Sequence, residues 1–255
     1  MTLLLSLLVV CFAVGILIGF IGAGGAGVMV TLLTVAFHLP IHQAVGTALA
    51  AMLFVTAAGA FSHFREGNVS IMPGVVVGIA GMTGAVVGAN ASQSIPEHVL
   101  QPMAGVALWV LAFLVWLRTQ LKGRLQETTE ETATPLMAGQ VGAGLGVGVA
   151  GGVASAFFGV GMAPFVQLGM LTVMRLPLNK AIGSTMLALS FISLSGSIAL
   201  ASNGDVSLTH LIGVVIGMTS GSYVGAKFTR RAPRAVLRAG MVATPFLAGT
   251  MLIVL

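Results

Sequence analysis

The sequence has very few charged side chains for its size. Of its 255 residues only 7% are charged, as 11 Lys and Arg and 6 Asp and Glu, whereas 57% are hydrophobic. So few charges could not cover the surface of a water-soluble protein of this length. A soluble globular fold is therefore excluded, and most of the surface is expected to face lipid.

Cysteines and recognisable catalytic motifs are also scarce. The single cysteine, Cys11, excludes an internal disulfide and a cysteine metal cluster. The sequence has no metal-binding, phosphate-binding or nucleophile motif, so we predict neither an enzyme nor a bound cofactor or metal. The net charge of +5 comes from basic residues beside apolar runs, which usually set membrane orientation, so we do not predict nucleic-acid binding.

Eight apolar runs are long enough to cross about 30 Å of hydrocarbon. They cover residues 3–20, 43–63, 70–89, 98–117, 136–157, 181–201, 206–227 and 236–255. Two more segments, 28–39 and 165–176, are too short to span at 1.5 Å per residue and are predicted to be half-helices. The chain therefore divides into a transmembrane half at 1–117, a polar linker at 118–135 and a second transmembrane half at 136–255.

The two halves match each other at a constant, ungapped offset of 137 residues. Composition alone would not keep so many glycines and prolines in register, so the halves are predicted to be two copies of one module. The matching pairs include Gly22 with Gly159, Gly24 with Gly161, Leu39 with Leu176, Pro40 with Pro177, Gly46 with Gly183, and Pro96 with Pro233.

The basic residues suggest how the chain is oriented. If residues 15–39 and their copy each enter and leave on one side as a hairpin, all 11 Lys and Arg lie on a single side, which the positive-inside rule makes cytoplasmic. If each hairpin region instead crosses once, seven lie inside and four outside. The hairpin arrangement is favoured, and it places the basic loops in the cytoplasm and both termini outside.

Each half then has five segments, so the second copy is inverted relative to the first. We therefore predict an all-α integral membrane protein with two inverted repeats, each containing a Gly-rich broken-helix hairpin plus three transmembrane helices. This architecture is typical of secondary transporters, whose substrate site lies where the repeats meet.

The glycine-rich runs at 22–27 and 159–164 are the predicted hairpin tips. Glycine lets the backbone unwind and approach a ligand closely, and each half-helix that follows would point free N–H groups and its positive dipole end into a cavity. The alternative is that these glycines only allow close helix packing. The tip residues predicted to bind a small anion are Gly22, Ala23, Gly24, Gly25, Gly159, Val160, Gly161 and Met162.

A second group of polar and glycine residues follows each Leu-Pro pair. Its hydroxyl groups could donate hydrogen bonds to an anion, or could instead bond to the backbone of their own helix. As candidate substrate-binding residues, this group comprises Gln43, Gly46, Thr47, Asn179, Gly183, Ser184 and Thr185.

These motifs together resemble the TauE/SafE sulfite exporter family of membrane transporters. The resemblance rests on the glycine run at 22–27, Leu39-Pro40 and the Ala-Val-Gly-Thr-Ala segment at 44–48, with their copies in the second half. It covers nearly the whole chain. The resemblance implies a permease of the inner cell membrane for a small anion such as sulfite or an organosulfonate, for example sulfoacetate.

We accordingly expect export of a small sulfur-containing anion by alternating access, since a cytoplasm that is electrically negative favours the exit of anions. The alternatives are import of a sulfur compound or another small anion, and a non-transporting membrane subunit. The expected partners are the anionic substrate and the lipid bilayer. The sequence leaves the oligomeric state open, a homo-oligomer included.

Overall fold

The computed structural model describes residues 2–21, 26–125, 138–229 and 234–254, and every regular element within these ranges is a helix. The first half contains α1 (Thr2–Ile21), α2 (Ala26–Thr31), which continues as a π-helical turn (Leu32–Ala36), α3 (Ile41–Arg65), α4 (Ile71–Gln93) and α5 (Glu97–Leu125). The second contains α6 (Ala138–Phe158), α7 (Ala163–Thr172), α8 (Leu178–Ser202), α9 (Leu208–Thr229) and α10 (Arg234–Val254).

Within the described ranges, five helical stretches are long and apolar enough to cross a membrane. They are Ile41–Arg65, Ile71–Gln93, Glu97–Leu117, Gly139–Phe158 and Asn179–Ser202. The segments predicted to be half-helices do form short helices. These begin two residues earlier than expected and end three or four residues earlier, at Ala36 and Thr172.

The same backbone turn ends both short segments. His38 and Arg175 each adopt a left-handed conformation with φ of 51°, which reverses the chain just before the Leu-Pro pair. Pro40 and Pro177 then precede the first residues of α3 and α8. His38 and Arg175 are 137 positions apart, so the two halves share this turn although the residue differs.

Helices α3 and α8 form the centre of the bundle and run antiparallel. Gly59 near the end of α3 lies against Met186 near the start of α8, while Leu49 near the start of α3 lies against Gly196 near the end of α8. Since α3 and α8 occupy equivalent positions in the two halves, the equivalent helices point in opposite directions.

Helices α5 and α10 form a second antiparallel pair. Gly105 packs against Gly249, so the two backbones approach closely at their crossing. On either side of this contact, Gln101 Nε2 donates to the carbonyl oxygen of Leu252 at 3.3 Å, and the Trp109 ring stacks on Phe246 with centroids 5.6 Å apart. The equivalent helices α5 and α10 are therefore opposed in direction as well.

Small residues also hold α6 against α4 and α1 against α9. Gly84 and Gly152 lie at close contacts between α4 and α6, where added methyl groups would overlap the carbonyl oxygens of Val149 and Gly81. In the other pair, a methyl group on Gly221 would overlap the carbonyl oxygen of Phe12. Glycine is needed at these contacts because the helices approach more closely than a Cβ atom allows.

These helix directions divide the described charged and histidine residues between the two ends of the bundle. One end, called the histidine end, carries His38, His42, His98, His210, Glu97 and Asp205. The other, called the basic end, carries Arg65, Arg118, Lys122, Arg124, Arg175, Lys180, Lys227, Arg234 and Arg238, together with His63 and Glu66. Every described Lys and Arg therefore lies at the same end.

Candidate functional site

The helix hairpin of the second half is broken at residues 159–162. The α6 helix ends at Phe158, and α7 begins at Ala163 with Pro164 in its first turn. Between them Gly159 and Gly161 have φ of 67° and 56°, a left-handed conformation that glycine adopts without steric cost. The broken-helix tip predicted here from the glycine run is therefore present in the structure.

The broken segment is buried, and its backbone is only partly hydrogen-bonded. Met162 N donates to Ser155 Oγ at 3.0 Å, and Gly159 N donates to the carbonyl oxygen of Ser155 at 2.9 Å. The amides of Val160 and Gly161 have no hydrogen-bond partner among the described residues. Because buried N–H groups rarely stay unpaired, these two amides are candidate groups for binding a ligand.

The break packs directly against the first half of the chain. A methyl group placed on Gly161 would lie 2.5 Å from Met52 Sδ in α3 and 3.0 Å from Ala26 Cβ at the start of α2. One placed on Gly27 would lie 3.3 Å from Val160 Cγ1. The start of α2 and the break between α6 and α7 therefore meet inside the protein, in contact with the central helix α3.

A cavity borders the break on its other side. Its volume is about 570 Å³, and Phe158 and Met162 form part of its wall. The rest of the wall is an apolar strip of α5, from His98 to Val110. Unwound backbone at membrane depth is tolerated when it is enclosed by protein or lines a cavity, and both conditions hold here.

The predicted tip of the first half is only partly visible. Gly22, Ala23, Gly24 and Gly25 lie outside the described residues. On either side of them, α1 is described as far as Ile21 and α2 from Ala26. Their contact with an anion stays a prediction.

The Gly-Thr and Gly-Ser pairs of the central helices bind the loop of the opposite half. Thr47 Oγ1 accepts a hydrogen bond from Ser207 N at 3.1 Å. Ser184 Oγ accepts one from Ser70 N at 2.9 Å and donates to the Ser70 carbonyl oxygen at 3.1 Å. Thr47 and Ser184 are 137 positions apart in the sequence, and so are their partners Ser70 and Ser207. The two contacts are therefore equivalent, and each joins one half of the chain to the other. The role of Thr47 and Ser184 in substrate binding stays a prediction.

The glycines that precede Thr47 and Ser184 in the sequence are packed tightly against the loops of the opposite half. A methyl group on Gly46 would overlap the carbonyl oxygen of Asp205, and one on Gly183 would overlap that of Asn68. Both glycines are buried against backbone. They let the loops approach the central helices closely enough for the hydroxyl contacts to form.

Replacing Ser184 by alanine is expected to lower the free energy of unfolding by about 1 kcal/mol, because Ser70 N loses its partner at a partly buried position. Thermal melting of the purified protein in detergent measures the change. Ser190→Ala in the same helix is the matched control, since the described partner of Ser190 Oγ is the carbonyl oxygen of Met186 in its own helix. Equal melting temperatures for the two variants would show that the contact between halves contributes nothing.

The remaining candidate substrate-binding residues, Gln43, Asn179 and Thr185, lie in different parts of the bundle. Gln43 is half-buried at the start of α3, at the histidine end, whereas Asn179 is exposed at the start of α8, at the basic end. The structure therefore does not bring these two together. Thr185 is 2% exposed, and its Oγ1 has no hydrogen-bond partner among the described residues.

Three residues at or near the break were missed by the sequence prediction. Met52 covers Gly161, and Ser155 holds Met162 N. Gln167 of α7 is buried, with its Nε2 unpaired within the described part of the chain. A glutamine in an otherwise apolar short helix is a detectable signal, because burying an amide in a membrane protein is costly. Met52 and Ser155 reach the break only because of how the chain folds, so no local sequence pattern indicates their contacts.

Comparison with known proteins identifies the family. Residues 7–252 match the family described as sulfite exporter TauE/SafE. The chain belongs to this family. It is 38% identical to the probable membrane transporter protein YdhB of Bacillus subtilis over 97% of this chain and 99% of that protein. A probable membrane transporter protein of Xylella fastidiosa is 26% identical over 86% of this chain and 82% of its own length.

No solved structure matches the chain. Membership of the TauE/SafE family, together with the apolar helices, makes the protein a multi-pass membrane protein of a transporter type. The resemblance drawn from the glycine runs and the Leu-Pro pairs is thereby confirmed at the level of the family.

Proposed function

We propose that the protein exports a small sulfur-containing anion, sulfite or an organosulfonate such as sulfoacetate, by alternating access. The observation that carries the proposal is the buried break at residues 159–162, whose Val160 and Gly161 amides are unpaired within the described residues. Backbone N–H groups at the start of a helix attract anions, and α7 adds the positive end of its dipole. The anion would be held at this break and its counterpart at 22–25.

An inverted repeat is supported by the way the halves contact each other. The equivalent helices α3 and α8 run antiparallel, as do α5 and α10. Thr47 bonds Ser207 while Ser184 bonds Ser70, so the same contact is made twice with the halves exchanged. Two inverted copies can exchange conformations, which gives a route to alternating access around a site held between them.

The distribution of charge supports an orientation with the basic end in the cytoplasm. All described Lys and Arg lie at that end, and the positive-inside rule places such residues on the cytoplasmic side. The start of α1 and the end of α10 lie at the opposite end, which would be outside the inner cell membrane. The basic end would also attract anions to the cytoplasmic entrance.

The membrane potential favours export. Each negative charge that leaves a negative cytoplasm gains about 2.3 kcal/mol per 100 mV, so an anion exporter can work without a coupling ion. Uptake would have to work against this energy. No Asp or Glu lies in the middle of a described helix, and a coupled importer would be expected to need one.

Flux from liposomes tests the proposal. The purified protein is reconstituted in vesicles loaded with sulfite or sulfoacetate, and a potassium gradient with valinomycin sets the potential. We expect saturable release of at least one of the two anions, faster when the compartment facing the basic end is negative. At 100 mV the equilibrium ratio should change by about 50-fold for each charge moved.

The other outcomes separate the alternatives. Accumulation of the anion against the potential, with an ion gradient applied, would indicate an importer. Absence of flux for every sulfur anion, together with a stable complex with another membrane protein, would indicate a non-transporting subunit. Both results would contradict export.

A further inference from the structure

Three buried side-chain atoms of the second half have no hydrogen-bond partner among the described residues: Gln167 Nε2, Thr185 Oγ1 and Ser193 Oγ. Gln167 of α7 is 7% exposed and Thr185 of α8 is 2% exposed, and neither Gln167 Nε2 nor Thr185 Oγ1 is paired. A buried donor without a partner destabilises a protein, and in most proteins such a group is paired with protein or with water. The residue 137 positions before Ser193 is Thr56, which also carries a hydroxyl group, so Gln167 and Thr185 are the two groups that the repeat does not share and that require an explanation.

The two side chains lie at a similar depth in the bundle. Helices α7 and α8 pack against each other and are joined by the short turn at 173–177. Gln167 is five residues before the end of α7, or about 8 Å along the axis, and Thr185 is seven residues after the start of α8, or about 10 Å. Gln167 is also only about 6 Å along the axis from the first residue of α7, which follows the break.

The first half of the chain shows that neither polar group is required by the fold. The residues 137 positions earlier are Val30 and Ala48, both buried with 0% exposure. The same positions in the repeated module are thus filled by apolar side chains that pack without unpaired groups. Because Gln167 and Thr185 add a cost that the packing does not need, a role in binding is favoured over a role in stability.

From these observations we infer that Gln167 and Thr185 form the side-chain part of the substrate site, next to the amides of the break. The Gln167 amide offers two N–H donors and Thr185 offers one O–H donor, which suits a ligand rich in acceptors. An oxyanion has oxygen acceptors on several sides, so one anion can receive hydrogen bonds from both side chains and from Val160 N or Gly161 N. This inference rests on the proposed transport of a small oxyanion. It implies that the second half of the chain binds the anion more strongly than the first half does.

The inference predicts opposite effects of one substitution on affinity and on stability. Gln167→Met keeps the length and shape of the side chain but removes the donors. The sulfite concentration giving half-maximal flux should rise roughly 10- to 100-fold, as expected for loss of a hydrogen bond to a charged group. The melting temperature without sulfite should stay equal or increase, because an unpaired buried amide has been removed.

Thr185→Val is a second test that does not depend on the first variant. We again expect a higher sulfite concentration for half-maximal flux and an equal or higher melting temperature without sulfite. Gln101→Met is the matched control: Gln101 Nε2 is bonded to the Leu252 carbonyl oxygen, so that variant should melt at a lower temperature and keep the half-saturating sulfite concentration of the wild type.

Sulfite-induced thermal stabilisation of the same proteins separates this inference from the proposed function, because it requires binding but no flux. Stabilisation of the wild type that is lost in Gln167→Met and Thr185→Val supports the inference even without flux. Wild-type flux that both variants retain with unchanged half-saturation overturns the inference and leaves the proposed function intact. A wild type with neither flux nor stabilisation by sulfite or sulfoacetate overturns both.

Discussion

Replacing Gly161 by alanine should reduce sulfite flux at least tenfold while most of the protein remains folded. Gly161 has φ of 56°, and an alanine Cβ there would lie 2.5 Å from Met52 Sδ. The left-handed conformation costs roughly 1–2 kcal/mol for a residue with a Cβ, so the break would shift and its amides would move away from the proposed position of the anion. Flux from liposomes with matched protein content measures the effect.

Gly146→Ala is the control for this experiment. Gly146 lies in α6, the helix that leads to the break, and a methyl group there would meet no atom within 4 Å. Its flux should equal that of the wild type, and its stability should be the same or slightly higher because alanine favours the helix. Normal flux in Gly161→Ala would mean that the geometry of the break is not needed for transport.

Replacing Gly152 by alanine is expected to have the largest effect on stability. The new Cβ would overlap the carbonyl oxygen of Gly81 and lie 3.0 Å from Ala85 N, both backbone atoms of α4 that cannot rotate away. The helices α4 and α6 would have to separate, at a cost of roughly 1–3 kcal/mol. A lower melting temperature in detergent, relative to both the wild type and Gly146→Ala, is the expected result.

An unchanged melting temperature for Gly152→Ala would show that α4 and α6 are not held at the distance seen in the structure. That would also weaken the account of the break, because α6 carries Phe158 and Ser155 into the position where the break is formed. The measurement is therefore informative about the site as well as the fold.

The helical segments could be predicted from the sequence because apolar length and glycine or proline punctuation are local signals. The predicted span at 98–117 is contained in α5, which begins at Glu97 and continues to Leu125. The ends of the short helices were placed too late, since His38 and Arg175 reverse the chain before the prolines do. Neither residue type signals a left-handed turn by itself.

The contacts of the candidate site could be predicted only in part. The glycine run at 159–164 indicated the break correctly, because left-handed backbone favours glycine. In contrast, the sequence could not show that Ser184 bonds Ser70, 114 residues away, or that Thr47 bonds Ser207, 160 residues away. Such partners are set by how the halves pack, and no local pattern contains them.

Gln167 carries a sequence signal that the pattern of glycines and prolines does not include. It is a polar residue inside the apolar stretch of α7, and its equivalent in the first half is Val30. The two copies of the module therefore differ in polarity at this position, and the difference is visible in the sequence alone. A polar side chain inside a membrane helix is costly to bury, so one that has no polar counterpart in the other copy and no partner is a candidate for a functional site.

The most direct test of the central claim is calorimetric titration of sulfite into the purified wild type and into Gly161→Ala. If an anion is held by the unpaired amides of the buried break, the wild type will bind sulfite saturably and the variant will bind it at least tenfold more weakly. Equal affinity in the two proteins would contradict the claim that this break holds the anion.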